Sequence, residues 1–296
     1  DRGRSNLYHL GIPFSGVMDT RNFLITNKLV GNKLDDAVIE FALQGPKLKI
    51  NENNINCVVT GNVNFTIKKN SKIYKGECYK TFSLNNNDEI DIISTNDSMY
   101  GYFSISGGFK LKKVWNSYSI HTRSKLGPNK GNKIVEDEDL QINRTLTPTY
   151  QKKINFINSK IEFIRVIKGT NFDYFSKESQ KSFFESQYQV TNLTDRMGMR
   201  LDGNKLENIK SENIKSEGLI KGVIQVPPDG KPIIMLSDHG TIGGYPKIAV
   251  IISADYDKIA QLPPLSKIKF KMVDIKDAEK IFRLYSMETK NILDQI

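Results

Sequence analysis

Apolar positions in this chain come mostly in short bursts of strand length. The one early stretch with helical spacing is residues 19–31, DTRNFLITNKLVG. Phe23, Asn27 and Val30 fall on one face there, with Leu24 beside them. Asp19 suits the N-cap and Gly31 the position after the helix end, which predicts a helix between them. Strand-like runs follow: AVIEFAL, KLKI, NINCVVTG, NFTIKK, DEIDIIS and MYGYFSISGG. A Gly45-Pro46 turn divides the first two, and Gly61-Asn62 between the next pair predicts a hairpin.

The stretch EDLQINRTLTPTYQKKINFI, about 138–157, is polar and contains Pro148, and it is expected to be a linker. A second block opens with the strand IEFIRVIKG and a short helix containing Phe172, Phe175 and Phe183. The strands QYQVT, LIKGVIQVP, KPIIMLS and KIAVIIS come next, then the helix ADYDKIAQL, closed by Pro263-Pro264. The strand KIKFKMV and the helix IKDAEKIFRLYSM end the chain. Between the strands QYQVT and LIKGVIQVP, the tandem IKSEN-IKSEG reads as a surface loop. Strands outnumber helices and lie too close together for crossover helices. That favours a mainly β fold, barrels or sandwiches with short helices attached. The parse is two β-rich domains, 1–145 and 158–296.

Composition narrows the function. No run nears the ~18 apolar residues of a membrane helix. The net charge is +10, yet 34 of the 43 basic residues are lysines scattered among Asn and Ile. A nucleic-acid face gathers its cations with aromatics on one element, so a solvated surface is the expectation and no nucleic-acid or membrane partner is predicted. Cys57 and Cys78 lack CxxC spacing. Cys57 reads as a reduced core thiol, consistent with a cytoplasmic protein.

The familiar loops are missing: no GxxxxGK[ST], no GxGxxG after a strand, no GxSxG and no HExxH. His9, His121 and His239 have no metal-site spacing. Three constellations remain. GIPFSGVMD, 11–19, brings Ser15 and Asp19 to a helix start, either as an anion site or as a turn and cap. TDRMGMRLDG, 194–203, sets Arg196 and Arg200 four apart, for carboxylate recognition or for internal pairs with Asp195 and Asp202. QVPPDGKPIIMLSDHGTIGGYP, 225–246, delivers Asp238, His239 and Thr241 to a strand end beside Gly240, Gly243 and Gly244. Such a loop is either a hairpin turn or a pocket wall suited to acid–base work and oxyanion support.

In this order the three segments resemble the signatures of one family: the C component of prokaryotic ATP-dependent 5-oxoprolinase. That family is also known as allophanate hydrolase subunit 2 or KipA, and it is similar to part of the carboxyltransferase domain of urea carboxylase. The resemblance implies two tandem cyclophilin-like β-barrel subdomains, with a family strand expected ahead of Asp1. It implies opening of 5-oxoproline to glutamate with ATP. The implied partners are the KipI-like B component and the LamB/YcsF-like A component of 5-oxoprolinase, in a hetero-oligomer. Under the alternative of a biotin-dependent carboxyltransferase half, carboxybiotin would be the donor. A non-enzymatic antagonist of a kinase inhibitor is the third reading. The residues expected to carry catalysis are Asp238, His239 and Arg196. Those expected at the substrate are Ser15, Met18, Asp19, Arg200, Gln225, Thr241, Gly243, Gly244 and Tyr245. The segment 114–131, VWNSYSIHTRSKLGPNKG, departs from the family pattern.

Overall fold

The structure is a computed structural model describing residues 1–143, 151–156, 162–210 and 214–296. Its internal contacts divide the chain into two units. The first comprises Asp1–Gly3, Asp19–Asn158 and Glu288–Ile296, and the second comprises Arg4–Met18 and Ser159–Met287. Among the described residues no helix is long and apolar enough to cross a membrane.

The first unit opens with α1 (Thr20–Leu29). Asp19 caps it, accepting from the Asn22 amide at 2.9 Å, and Gly31 ends it at a φ of 74°. Eight strands follow: β1 (Ile39–Ala42), β2 (Lys47–Lys49), β3 (Ile55–Thr60), β4 (Val63–Lys69), β5 (Lys72–Lys75), β6 (Phe82–Leu84), β7 (Glu89–Thr95) and β8 (Tyr100–Ile105). They form two four-stranded sheets, ordered β1-β8-β3-β6 and β2-β7-β4-β5. Alternation along β4 buries Val63, Phe65 and Ile67. These pack with Ile39, Phe41, Val59, Ile92 and Phe103 in one core. Val58 joins a second cluster with Ile25, Leu29 and Val30 of the α1 region, so β3 is covered on both faces. Cys57 is a buried free thiol whose pKa burial pushes up.

The expected hairpin between β3 and β4 does not form. β3 pairs with β6 and β8, whereas β4 pairs with β5 and β7. Gly61-Asn62 is therefore a corner where the chain leaves one sheet for the other. A side chain at Gly61, φ 101°, would sit 3.1 Å from the Gly101 Cα. That close approach, rather than a two-residue turn, is what calls for glycine. The described parts of the expected linker are woven into the first unit. The Lys110 amide bonds the Gln141 carbonyl at 2.8 Å, and the Ile154 amide bonds the Tyr79 carbonyl at 3.0 Å. Residues 144–150 and 157 lie outside the described residues.

The strands of the second unit are β9 (Ile164–Lys168), β10 (Tyr188–Val190), β11 (Gly198–Asp202), β12 (Glu217–Gly218), β13 (Val223–Gln225), β14 (Ile233–Met235), β15 (Ile242–Gly243), β16 (Lys247–Ile251), β17 (Lys267–Ile268) and β18 (Phe270–Met272). The helices are α2 (Lys177–Glu185), α3 (Tyr256–Ala260) and α4 (Ile275–Asp294), whose last residues belong to the first unit. Eight strands form one sheet, ordered β17-β10-β11-β14-β13-β16-β9-β18. Its two edges, β17 and β18, are separated in sequence by Lys269 alone. The sheet must therefore curl until its edges meet, a barrel-like closure that leaves little free edge. Phe183 of α2 stacks on Phe270 at 4.6 Å between ring centroids.

One ion pair is built into this barrel. Asp255 is fully buried and accepts from Arg165 Nε at 2.8 Å, Arg165 Nη2 at 2.5 Å and the Arg165 amide at 2.9 Å. Removing one partner strands a buried charge. Arg165→Ala, which leaves the fully buried Asp255 carboxylate without its fork, is expected to destabilise the second unit by about 3 kcal/mol, seen as a lower urea midpoint with an unchanged slope.

Candidate functional site

The candidate site lies in the second unit, at the end of β14 where it meets the loop before β11. Asp195 Oδ1 accepts from the amides of Met197 at 2.8 Å and Gly198 at 3.1 Å, forming a side-chain-stabilised turn. Arg196 follows Asp195 in that turn. The ladder between β11 and β14 continues past both strands: the Leu236 amide bonds the Met197 carbonyl at 3.0 Å, and the Asp238 amide bonds the Arg196 carbonyl at 2.8 Å. The backbone thus sets Arg196 beside Asp238. Their side chains close a bidentate pair, Nε to Oδ2 at 2.8 Å and Nη2 to Oδ1 at 2.9 Å. Such a fork matches carboxylate geometry in a way lysine cannot.

The same guanidinium reaches a third segment. Arg196 Nη2 donates to the Gly16 carbonyl at 2.5 Å, and Ser237 Oγ donates to the Val17 carbonyl at 3.1 Å. Ser15 precedes these carbonyls at a φ of 56°, 2% exposed, and its Oγ finds no hydrogen-bond partner among the described residues. Arg4 is equally buried, and its amide donates to the Phe14 carbonyl at 2.7 Å. Burial lowers the Arg4 pKa, and Asp238 pulls it back up.

His239 is 1% exposed. Its Nδ1 stands 2.6 Å from the Gly240 carbonyl, which can only accept, so Nδ1 carries the proton. Nε2 is then the acceptor, and it receives the Tyr8 hydroxyl at 3.2 Å. Burial lowers the His239 pKa and Lys221 adds to the shift, while the Gly240 carbonyl and Asp238 oppose it. Lys221 Nζ lies 4.0 Å from the Tyr256 ring centroid, and the Tyr256 hydroxyl is 3.2 Å from Ser237 Oγ. Arg4 and Lys221 act electrostatically on the groups beside the Arg196–Asp238 pair.

The glycine loop is not a hairpin. β14 and β16 flank it, yet each pairs with β13, so the loop crosses over the end of that strand. Its far side is a ladder between β12 and β15, with Gly243 opposite Glu217. The Leu219 amide bonds the Thr241 carbonyl at 2.9 Å and the Ile214 amide bonds the Gly244 carbonyl at 2.8 Å. Gln225 Nε2 donates to the Tyr245 carbonyl at 3.2 Å. A side chain at Gly243 would fall 2.7 Å from Gln225 Nε2 and 2.8 Å from Leu219 Cδ1. Gln225, Thr241, Gly243 and Gly244 therefore shape and brace the loop.

Of the residues expected at the substrate, Met18 is buried in the second unit and Tyr245 is exposed. Asp19 belongs to the first unit, where both its oxygens are held by Asn22, at 2.9 Å by the amide and at 2.6 Å by Nδ2. Arg200 is exposed on β11 opposite Ile233, four residues along an extended chain from Arg196 and so on the order of 10 Å away. The structure brings together Arg196, Asp238, His239 and the Ser15–Val17 backbone. A cavity of about 470 Å³ lies elsewhere, in the first unit, lined by Tyr74, Phe82, Lys69 and Lys80. Lys69 is already committed to the Ser83 carbonyl and Lys80 to Glu77. Among the described residues no group of three or more His, Cys, Asp and Glu could hold a metal ion.

Residues 10–272 match the family model of the carboxyltransferase domain, subdomain A and B. The chain belongs to this family. It is 30% identical over 298 residues to the 5-oxoprolinase C subunit of Haemophilus influenzae, covering 100% of this chain and 95% of the relative. It is 27% identical over 284 residues to the 5-oxoprolinase C subunit of Escherichia coli, covering 95% of this chain and 89% of the relative. The urea carboxylase structure from Kluyveromyces lactis shares the fold, at a TM-score of 0.87 and 23% identity, over 98% of this chain and 27% of that one.

Two residues of this carboxyltransferase-domain chain were invisible to sequence reasoning. Arg4 and Tyr8 sit in DRGRSNLYHL, a polar stretch with no periodicity and no motif. Only their contacts mark them. The buried His239 carries a testable consequence. Its folded pKa lies below the ordinary 6.5, so between the two values the unfolded chain binds more protons. Stability contributed by neutral His239 is present above about pH 6.5 and is lost as pH falls through that window. Acid titration of the urea midpoint is expected to show this loss, and His239→Gln is expected to remove that part of the slope.

Proposed function

We propose that this chain is the C-type component of a cytoplasmic, ATP-dependent 5-oxoprolinase complex that opens 5-oxoproline to glutamate. The observation that carries the reading is the polar knot of Arg196, Asp238 and His239, flanked by Arg4 and Lys221. Full-length relatives named as the C subunit of 5-oxoprolinase support it. 5-Oxoproline offers a carboxylate and a lactam carbonyl. The nearby Arg4 and Lys221 are cations of the kind that recognise the carboxylate. The Arg196 fork already holds Asp238, so Arg196 fixes that carboxylate in place and adds its charge to the site. Asp238 and His239 are the acid–base groups for moving a proton to or from the opening lactam.

ATP does not fit this cluster by itself. The glycine loop has Gly243 paired with Glu217 rather than open to phosphates, and no Walker-type loop exists in the chain. We assign ATP binding to the B-type and A-type partners, KipI-like and LamB/YcsF-like, and route no step of this chain through the nucleotide. The second reading, transfer of a carboxyl group from carboxybiotin to urea or an amide, is favoured by the fold shared with urea carboxylase. No residue set here identifies a biotin site. The antagonist of a kinase inhibitor remains a non-enzymatic reading.

Co-expression with the A-type and B-type partners is expected to give ATP turnover that depends on 5-oxoproline. Arg196→Lys, which keeps the charge and loses the fork, is expected to lower kcat about 10²-fold. Turnover dependent on urea and a biotinylated carrier would favour the second reading. Equal turnover with and without either substrate would oppose both.

A further inference from the structure

Both ring nitrogens of His239 are engaged, and the ring is 1% exposed. Nδ1 donates to the Gly240 carbonyl at 2.6 Å, and Nε2 accepts from the Tyr8 hydroxyl at 3.2 Å. The two rings lie 6.1 Å apart between centroids, tilted by 31°. Tyr8 is only half-buried, in a short 3-10 turn, Tyr8–Leu10, closed by Gly11 at a φ of 73°. A base this deeply buried cannot touch a guest with its own lone pair. The lone pair on Nε2 is covered by the Tyr8 hydroxyl, and Tyr8 is the less buried member of the pair.

We propose that Tyr8 and His239 form a relay in which Tyr8 Oη is the catalytic atom and His239 is the positioning base behind it. The inference rests on the reading that chemistry occurs at this cluster. As a water molecule attacks the lactam carbonyl carbon and the C=O π pair moves to its oxygen, a water proton passes to Tyr8 Oη while the Tyr8 proton passes to Nε2. The imidazole becomes imidazolium, and no proton is lost or gained overall. When the ring C–N bond breaks, the leaving nitrogen takes a proton from Tyr8 Oη, and Nε2 returns its proton to the phenol oxygen. The Gly240 carbonyl holds the ring orientation throughout, because a single tautomer satisfies it. Besides Tyr8 and the Gly240 carbonyl, the charged groups acting on His239 are Lys221, which disfavours the imidazolium, and Asp238, which favours it.

Tyr8→Phe keeps the ring and removes the hydroxyl. In the reconstituted complex it is expected to lower kcat about 10²-fold with KM within about twofold, and to shift the acid limb of the pH profile. His239→Gln is expected to lower kcat similarly. The double variant should be no worse than either single one, since the two act as one unit. A Tyr8→Phe enzyme with wild-type kcat and pH profile would overturn the relay while leaving the functional reading standing.

A second arm needs no turnover. Diethyl pyrocarbonate attacks neutral, accessible imidazole nitrogens, and mass spectrometry locates the adducts. In the unmodified chain exposed His9 should react quickly and His239 slowly. Tyr8→Ala should expose Nε2 and accelerate reaction at His239 at least about tenfold. Nitrogen-15 spectra should show His239 as the Nδ1–H tautomer. Reaction of His239 as fast as His9 in the unmodified chain, or the opposite tautomer, would overturn the arrangement even if the complex never turned over 5-oxoproline.

Discussion

The site in the second unit depends on one arginine that ties its own segment to two others far away in sequence. Arg196 holds the Asp238 carboxylate with two parallel bonds and the Gly16 carbonyl with a third contact, and its own carbonyl takes the Asp238 amide. Segments near positions 16, 196 and 238 are thereby fixed to one another at a strand end. An apolar side chain could fill the same space. It could not satisfy a carboxylate and a carbonyl at once, and burying either without a donor is costly. Gain from such a pair over a hydrophobic replacement is often small, so its value here lies in geometry. It places His239, the next residue after Asp238, against Tyr8.

That geometry also explains why the glycine loop is long. A hairpin between β14 and β16 would need two residues. Because β13 lies between them, the chain must stride over its end, and it does so close to Gln225 and Leu219. Gly243 is required by that proximity, since a Cβ there would collide with both side chains. Its backbone needs no left-handed conformation. Clustered glycine in a β-rich sequence has two physical causes, positive φ and close approach, and only the second operates at Gly243.

Local features were legible in the sequence. Asp19, Asn22 and Gly31 define α1 through contacts within a few residues, so capping rules suffice. Most strands also read correctly, because alternation or dense apolar runs record burial directly, but β5, β6, β11, β12 and β15 lack such a run, and KIKFKMV is two strands, β17 and β18. Pairing was not legible. Gly61-Asn62 carries the composition of a hairpin, yet its two strands enter different sheets, a choice made by β7 and β8 about thirty to forty residues downstream. The site divides the same way. Arg196 stood out by its spacing from Arg200 between two aspartates, and Asp238 and His239 as polar residues at the end of an apolar strand. Arg4 and Tyr8 did not, because their importance comes from contacts more than 200 residues away with groups around Asp238 and His239.

The tandem IKSEN-IKSEG illustrates how a bland segment gains a role through pairing. As sequence it reads as a tolerant surface insert. In the fold its second copy runs beside the glycine loop, with Ile214 bonding Gly244, Glu217 facing Gly243 and Glu217 Oε2 holding the buried Lys247 at 2.9 Å. Lys247 is 4% exposed, so its ammonium needs a partner there. The insert therefore supplies both a strand edge and a countercharge to the base of the loop that carries Asp238 and His239. In this chain the carboxylate beside Lys247 and the extended edge beside Gly243 come from the same residue, Glu217.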